Sequence, residues 1–418
     1  MKSFSFIHAA DLHLDAPFRG VSSSSPAVAK ALSEATFNAY DALIATCIER
    51  KVDFLLVAGD IFNSSDRSLR AQLRFRDGLK KLQEHNISAY VVYGNHDPLD
   101  GWSYSIDWPS NMHIFSGDDV ETIFFAKNEE NIATISGMSY KKREEKRNLA
   151  KLFSTEKETN LYSIGLLHCT AGSYKEHEPY APCQLDDLLT TSIDYWALGH
   201  VHTKQVLYES PYVVYPGNTQ GLHINESGER GCYLVSVADN KTNLEFIATD
   251  TTRWFSCDIN VSGFETMDQL ENELGSLLEK TRDESDGKNS IVRVKLTGRT
   301  PLYRELVREG SLDELLELTR GTFSEETPFL WVQDIKLACK PEIDLKNLEN
   351  KKGFSSQLLK ISEELRAVED FSEHSLAEHL APLFEHKLID KHIGVLDTEE
   401  LKELIEEAKL LCIDRLEE

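Results

Sequence analysis

The sequence has 418 residues, of which 41% are hydrophobic and 28% charged, with a formal net charge of −25. This composition is typical of a globular protein, and the absence of any apolar run near the roughly 18 residues of a membrane span excludes a membrane protein. The seven cysteines form no CxxC pair, which argues against a disulfide framework and a zinc knuckle. Since residues 1–15 lack the features of a signal peptide, we expect a cytoplasmic protein with reduced thiols.

The negative charge would repel nucleic acid at long range, so it counts against a DNA substrate unless basic residues group locally or metals neutralise the contact. Residues 1–255 carry 24 Lys and Arg against 33 Asp and Glu, whereas residues 256–418 carry 21 against 37. Most of the excess negative charge therefore lies in the second part of the chain.

Strands and helices alternate through the first 100 residues. Apolar runs predict strands at Phe4–Ala9, Phe54–Ala58 and Ala89–Tyr93, and helical patterns lie between them at about 26–51 and 66–85. This βαβαβ order predicts parallel strands joined by crossover helices. The carboxyl ends of such strands form the usual crevice for ligands.

From Met112 the predicted strands become shorter and closer together, and a helix is expected near Glu144–Phe153. The strands are expected at 112–115, 121–126, 132–137, 162–167, 195–198, 205–208, 212–215, 231–237 and 244–249. An α/β fold with two mixed β-sheets packed together and helices outside them accounts for this number of strands.

Three segments are predicted along the chain. Residues 1–255 form the first domain, and a strand–helix pattern restarts at 256–340, which predicts a small α/β domain. Residues 341–418 carry helical periodicity with many charges. The last helix has an apolar face that packs on its own domain or docks on a partner.

Polar residues with metal-binding side chains follow five of the predicted strands. They are Asp11 and His13, Asp60, Asn95, His168, and His200 with His202. Because the ends of neighbouring strands meet at one edge of a sheet, these side chains predict a site for two divalent metals, which can clamp both oxygens of a phosphate ester. Asp60 is the natural bridge, since one carboxylate offers two oxygens.

The remaining ligands divide into two sets. The first metal is assigned Asp11, His13 and His202, and the second Asn95, His168 and His200. Residues two apart point the same way from extended backbone, which explains the two pairs of neighbours. Mixed oxygen and imidazole ligands without thiolate favour manganese or iron over magnesium or a structural zinc.

His96 is adjacent to Asn95, so the two side chains point differently. We assign His96, with Asp60, a catalytic role: it protonates the leaving oxygen or steadies the charged phosphate. Asp97, behind the ligands, orients the His96 imidazole or caps the next turn.

These residues carry a family resemblance. DLH at 11–13, GD at 59–60, GNHD at 94–97, the lone His168 and GHVH at 199–202 together resemble the calcineurin-like metallophosphoesterase superfamily. FIHAADLHLD at the start, VAGDIFN at 57–63 and YPGNTQG at 215–221 resemble DNA repair nucleases of the SbcD type, particularly the YhaO branch.

The resemblance implies a four-layer fold and a DNA exonuclease or endonuclease that uses two divalent metals, most often manganese, with iron or magnesium as alternatives. It also implies a capping domain at 256–340 and a partner, a coiled-coil SMC-like ATPase of the SbcC/YhaN type. A homodimer is compatible with it. Asn63 departs from the pattern, since some relatives carry His there, which leaves the balance of exonuclease and endonuclease action open.

Contacts with DNA are predicted from basic and polar residues near the site. Arg67 and Arg70, with Arg74 and Arg76, form one basic stretch, and Lys141, Lys142, Arg143, Lys146 and Arg147 form another. Asn218 and His223 follow a predicted strand and are placed at the cleft. The alternative for both basic stretches is a solvated surface interrupted by carboxylates.

Two other functions use the same residues. A phosphatase or cyclic-nucleotide phosphodiesterase needs the same metals, because they serve any phosphate ester. A third hypothesis is a non-catalytic subunit that binds DNA ends for an ATPase complex. The complete ligand set argues against that third hypothesis.

Overall fold

The fold is known from a computed structural model. It describes residues 3–18, 25–64, 67–156, 160–172, 180–323, 327–343, 348–349, 353–367 and 398–417.

The described strands and helices are as follows in chain order. The strands are β1 Ser3–Ala9, β2 Phe54–Ala58, β3 Ser88–Val92, β4 Met112–Ile114, β5 Glu121–Lys127, β6 Glu130–Met138, β7 Tyr162–His168, β8 Tyr195–Gly199, β9 Gln205–Glu209, β10 Tyr212–Tyr215, β11 Gly231–Ala238, β12 Lys241–Ala248, β13 Thr252–Asn260, β14 Asn289–Thr297, β15 Arg299–Thr300, β16 Leu330–Leu337 and β17 Lys340–Pro341. The helices are α1 Pro26–Glu49, α2 Leu69–Glu84, α3 Leu185–Leu189, α4 Met267–Glu284, α5 Tyr303–Leu306, α6 Ser311–Phe323, α7 Phe354–Arg366 and α8 Thr398–Glu417.

Two six-stranded sheets contain the first twelve strands. The first has the order β12-β11-β1-β2-β3-β4, and β1 to β4 are parallel. The second has the order β5-β6-β7-β8-β10-β9, in which β6, β7, β8 and β10 are parallel and both edge strands are antiparallel. The prediction of two mixed sheets is confirmed.

Three apolar clusters separate the layers. Phe37 and Tyr40 of α1 and Phe75 of α2 cover the outer face of the first sheet. Phe54 of β2 and Ile164 of β7 belong to the cluster between the sheets. The outer face of the second sheet is covered by a further cluster around Trp196, Phe153 and Leu188. Helices and helical turns thus flank two packed sheets, as expected.

The helix predicted near Glu144–Phe153 is wrong. Only a 3-10 turn at Leu149–Leu152 forms there. The Glu145 side chain accepts hydrogen bonds from the backbone N–H of Arg147, at 2.9 Å, and from its guanidinium. Such local bonds between side chain and backbone compete with the helical hydrogen bonds that periodicity alone would predict.

Beyond β12 the chain forms smaller sheets, of which β13, β14 and β16 make one with three strands. Two compact units can be separated: one contains 1–257, 275–294 and 314–335, and the other contains 258–274, 295–313 and 336–418. The chain passes between them several times, and the domain limits predicted at 255/256 and 340/341 stay predictions.

The C-terminal segment is helical where it is described, as expected. Leu359 of α7 and Ile413 of α8 are buried together with Leu348, and Arg366 forms an ion pair with Glu406 at 2.9 Å. Leu404 and Leu411 of the last helix remain 45% and 52% exposed.

Phe54→Ala should lower the free energy of unfolding by about 3–5 kcal/mol, because it leaves a cavity between the two sheets. The Phe54 ring stacks on Phe6 at a centroid distance of 5.0 Å and lies 4.7 Å from Phe125. Urea denaturation followed by tryptophan fluorescence measures the change. Phe124→Ala is the control, since Phe124 is 52% exposed and its loss should change stability by less than about 0.5 kcal/mol. Equal losses in both variants would contradict this account of the core.

Candidate metal centre

The seven predicted ligands lie at the carboxyl ends of strands from both sheets. Asp11 and His13 follow β1, Asp60 follows β2, Asn95 follows β3, His168 ends β7, and His200 and His202 follow β8. Six of the seven, all but Asn95, form three overlapping groups together with His96, and the ligand atoms of each group lie within 4.8 Å of one another: Asp11, His13 and His202; His13, Asp60 and His96; and Asp60, His168 and His200. The structure therefore brings the predicted residues together.

The backbone at these positions is left-handed rather than extended. The φ angles of Asp11, His13, Asp60 and His200 are 51°, 41°, 51° and 100°. The expectation that neighbouring ligands share a direction because of extended backbone is therefore wrong. Backbone hydrogen bonds from Asp11 to Gly59, at 3.1 Å, and from His13 to Asp60, at 3.0 Å, hold the turn instead. Such strain concentrates at functional sites.

The first group has the chemistry of a metal site. The Nε2 atoms of His13 and His202 lie 3.1 Å apart, and the Asp11 carboxylate accepts hydrogen bonds from the backbone N–H of His200. Burial and the neighbouring His202 lower the pKa of His13 to about 3. Its ring is therefore neutral, which is the form that binds metals.

Among the predicted ligands of the second metal, His168 directs its Nε2 atom toward two oxygen atoms. His168 Nδ1 donates to the Ala58 carbonyl at 2.9 Å, so the neutral ring carries its lone pair on Nε2. That Nε2 atom lies 3.0 Å from Asn95 Oδ1 and 3.4 Å from Asp60 Oδ2. Burial lowers the pKa of His168, but Asp60 raises it to about 9. His168 Nε2, Asn95 Oδ1 and Asp60 Oδ2 can all act as acceptors, so a proton or a cation is needed between them.

Asp60 and His13 each belong to two of the three groups, and of these two side chains only Asp60 has the two oxygens that a bridge needs. Its Oδ2 atom lies 3.4 Å from His168 Nε2 and 3.9 Å from His13 Nε2. Burial raises the pKa of Asp60, but the surrounding imidazoles, His168 above all, bring it well below its usual range. Gly94 leaves the space open, because a Cβ there would contact Asp60 Oδ1 and come within 2.8 Å of His168 Nε2. The residues present fit two divalent cations.

His96 lies at the edge of the centre and is partly exposed. Its backbone N–H donates to Asp60 Oδ1 at 2.9 Å, and its Nδ1 atom donates to the Asn63 carbonyl at 2.8 Å. Because a carbonyl can only accept, Nδ1 carries a proton and Nε2 is the atom left for a substrate. The His96 ring contacts the His13 ring at a centroid distance of 4.9 Å.

Asp97 acts on the backbone. Its carboxylate accepts hydrogen bonds from the N–H groups of Gly94 at 2.8 Å, Ile61 at 2.7 Å and Phe62 at 3.2 Å. Neither predicted role describes these bonds, which join Asp97 to its own turn and to the loop after β2 instead of to the His96 ring or the following turn. The Asn63 carbonyl, which the sequence could not single out, fixes the His96 ring.

Comparison with known proteins agrees with this geometry. Residues 4–204 match the calcineurin-like phosphoesterase family, and residues 254–340 match the family described as metallophosphoesterase YhaO, middle domain. The chain is 36% identical over 412 residues to the uncharacterized metallophosphoesterase YhaO of Bacillus subtilis (strain 168), covering 98% of this chain and 97% of that protein. The chain belongs to the calcineurin-like metallophosphoesterases. Within that family it is of the YhaO type.

This metallophosphoesterase is also similar to proteins named DNA double-strand break repair protein Mre11. It is 28% identical over 257 residues to the one from Methanocaldococcus jannaschii, covering 58% of this chain and 65% of that protein. It is 25% identical over 288 residues to the one from Sulfurisphaera tokodaii, covering 65% and 70%.

Glu226 contacts a predicted ligand of the metallophosphoesterase centre, and the sequence did not indicate it. Its Oε1 atom accepts a hydrogen bond from His202 Nδ1 at 2.5 Å, and its Oε2 atom accepts from Asn218 at 2.9 Å and from the Leu222 N–H at 2.7 Å. Burial would raise the pKa of Glu226, but the bond to His202 lowers it to about 2. Glu226 therefore fixes the tautomer in which His202 Nε2 is free to bind a metal.

Glu226→Gln should weaken manganese binding about 10- to 100-fold, because the carboxylate that orients His202 and raises its basicity is lost. Calorimetric titration of the full-length protein with manganese measures this directly. Glu229→Gln is the matched control: Glu229 is an exposed residue whose carboxylate pairs with Lys204 at 3.3 Å. Equal affinities in the two variants would show that Glu226 does not act through the metal.

The structure does not support two of the predicted substrate contacts. Asn218 is fully buried and its amide bonds to Gln220, Glu226 and Arg230. Arg67 is 5% exposed, and its guanidinium donates to the carbonyls of Asp97 at 2.9 Å and Pro98 at 2.6 Å. Both residues hold loops of the centre in place. The basic stretch around Arg67 and the strand before Asn218 could not reveal that these two side chains are buried.

The other predicted contacts remain accessible. The His223 side chain is 44% exposed and its Nε2 atom lies 3.5 Å from Glu226 Oε1. Arg70 is 51% exposed but pairs with Glu34 at 2.5 Å, and Arg74 and Arg76 also pair with carboxylates. Within the first basic stretch, Arg70, Arg74 and Arg76 thus match the alternative of a solvated surface paired with carboxylates, whereas Arg67 does not.

Among the described residues, none of the helices combines the length and the apolar stretch that crossing a bilayer requires.

Proposed function

We propose that this metallophosphoesterase is a two-metal-dependent phosphodiesterase that hydrolyses DNA, as an exonuclease, an endonuclease or both. The observation that carries the proposal is the set of three overlapping groups of ligand atoms with Asp60 in two of them. DNA as the substrate is supported by the relatives named for DNA double-strand break repair, at 25–28% identity.

The residues of the chain have separate tasks in this reaction. Two bound divalent cations supply charge that polarises a phosphate ester and activates a water molecule. Asp11, His13 and His202 would hold one cation, Asn95, His168 and His200 would hold the other, and the Asp60 carboxylate would be shared between them. His96 presents Nε2 to the substrate, and when the ring is protonated on both nitrogens this atom donates a proton to the leaving oxygen or a hydrogen bond to the phosphate. Asn63 keeps that ring in one orientation through its carbonyl.

The test is a cleavage assay with the purified full-length protein. Labelled single-stranded and duplex DNA are incubated with manganese, iron or magnesium, and the same reactions are run with p-nitrophenyl phosphate and a cyclic nucleotide. We expect DNA cleavage that depends on manganese. Hydrolysis of the small monoester or cyclic nucleotide alone would replace the nuclease with a phosphatase or a cyclic-nucleotide phosphodiesterase.

We also propose a role in DNA repair together with a coiled-coil SMC-like ATPase of the SbcC/YhaN type. Exposed apolar side chains on α7 and α8, among them Ile361 at 53% and Leu411 at 52%, offer a surface for such a partner. Leu404→Glu combined with Leu411→Glu should weaken co-purification with the ATPase. If association is unchanged, these helices are not the partner surface.

A further inference from the structure

Two aromatic side chains in the segment that follows His96 are exposed. Trp102 is 55% exposed and Tyr104 is 40% exposed, and their rings meet edge to face at a centroid distance of 4.5 Å. Trp196, Trp254 and Trp331, by contrast, are at most 3% exposed. Burying large apolar side chains stabilises a fold, so an exposed pair indicates a binding surface.

The segment that carries this pair is held in place. Backbone hydrogen bonds run from Leu99 to the Tyr140 carbonyl at 2.9 Å and from Asp100 to the Lys141 carbonyl at 3.1 Å. The buried Arg67 guanidinium binds the carbonyls at the start of the segment. The two aromatic rings therefore extend from an ordered base, which lowers the cost of binding a ligand on them.

The segment that carries the aromatic pair and the loop that it bonds to, which includes Tyr140, both start at the metal centre. The aromatic segment starts two residues after His96, which follows β3 of the first sheet. Tyr140 follows β6 of the second sheet, and its ring lies edge to face with His168 at a centroid distance of 5.6 Å. The segment that carries Trp102 and Tyr104 thus starts next to the candidate catalytic residues.

Positive charge adjoins the aromatic pair. Lys142 and Arg143 are exposed and follow Lys141, whose carbonyl binds the aromatic segment. Lys141 pairs with Asp118 at 2.5 Å, and the later cations of this basic stretch pair with neighbouring glutamates. Lys142 and Arg143 form no ion pair among the described residues, so they are available for phosphates despite the net charge of −25.

We propose that Trp102 and Tyr104 form a stacking platform for the unpaired bases of single-stranded DNA, with Lys142 and Arg143 on its phosphates. Aromatic rings bind bases of any sequence because each base has a π-face, and cations beside them follow the backbone. Duplex DNA presents no free base faces to such rings. The inference rests on the proposed function, which it deepens by naming the strand form that is recognised.

The test measures binding of a fluorescein-labelled 20-nucleotide oligo-dT to the full-length protein by fluorescence anisotropy in EDTA, where no cleavage occurs. Trp102→Ala with Tyr104→Ala should weaken binding at least about tenfold. Trp102→Phe with Tyr104→Phe keeps both ring faces and should stay within about threefold of the wild type. Tyr208→Ala, which removes a 43% exposed ring from β9, is the matched control and should bind normally.

Two further measurements separate stacking from charge. Lys142→Ala with Arg143→Ala should reduce the magnitude of the slope of log affinity against log salt by about 1.4, because each phosphate contact on a single strand contributes about 0.7. A blunt hairpin duplex should bind the aromatic alanine variant nearly as well as it binds the wild type. Unchanged oligo-dT binding in that variant, or an equal loss for duplex and oligo-dT, would overturn the platform.

The platform and the proposed function fail in different ways. Oligo-dT binding in EDTA without any manganese-dependent cleavage would leave the platform standing and refute the nuclease. Cleavage with manganese, together with oligo-dT affinity that is unaffected by the aromatic substitutions, would support the nuclease and refute the platform.

Discussion

Asp60→Asn should reduce manganese-dependent DNA cleavage at least about a thousandfold in kcat/KM, because the carboxylate shared by the two groups of ligands loses its charge. Asparagine has nearly the same shape and tolerates the left-handed φ of 51° at this position, so the fold should be retained. Initial rates on labelled DNA, measured over a range of manganese concentrations, test the prediction.

The control for this variant is Asp77→Asn on α2, which removes an exposed carboxylate and should leave the rate unchanged. Calorimetry on Asp60→Asn should also show weaker binding of manganese, since both proposed ions use this side chain. A variant that cleaves DNA at the wild-type rate would refute the bridge and, with it, the two-metal reaction.

His96→Ala should lower kcat about 10²- to 10⁴-fold, since His96 is assigned to the substrate side of the centre. The number of manganese ions bound per chain should stay the same. The His96 ring is fixed by the Asn63 carbonyl, which leaves Nε2 for the substrate. Measuring kcat and metal content on the same preparation separates catalysis from metal binding.

Two outcomes would change the role of His96. Because its ligand atom also lies within 4.8 Å of those of His13 and Asp60, loss of a metal ion in His96→Ala would make it a ligand. If His96 protonates the leaving oxygen, the decrease in kcat caused by His96→Ala should be smaller for bis(p-nitrophenyl) phosphate, whose leaving group needs no proton. An equal loss on both substrates would favour contact with the phosphate itself.

Much of the centre could be predicted because parallel strands impose their geometry on the residues that follow them. Asp11, Asp60 and Asn95 each come directly after a short apolar strand, and β1, β2 and β3 are neighbours in one sheet. The strand ends must then meet at one edge, whatever the details of the loops. The same reasoning gathered His168 and His200 from β7 and β8.

The remaining features depend on contacts that no local pattern encodes. Glu226 reaches His202 across 24 residues of chain, and a glutamate among polar loop residues carries no signal of its own. Arg67 was predicted to contact DNA because it lies in a basic stretch of the sequence. The position of a residue in the sequence cannot reveal that its guanidinium donates to the carbonyls of Asp97 and Pro98. The helix expected near residues 144–153 failed because Glu145 binds the adjacent backbone.

The left-handed backbone at Asp11, His13 and Asp60 has an evolutionary consequence. Glycine would adopt these φ angles without strain but supplies no side chain, so selection for stability alone would favour it at all three positions. A lineage released from the need for catalysis should therefore drift toward glycine there, becoming more stable as it loses activity. Homologues that carry such replacements can be recognised as descendants that kept the fold and gave up the chemistry.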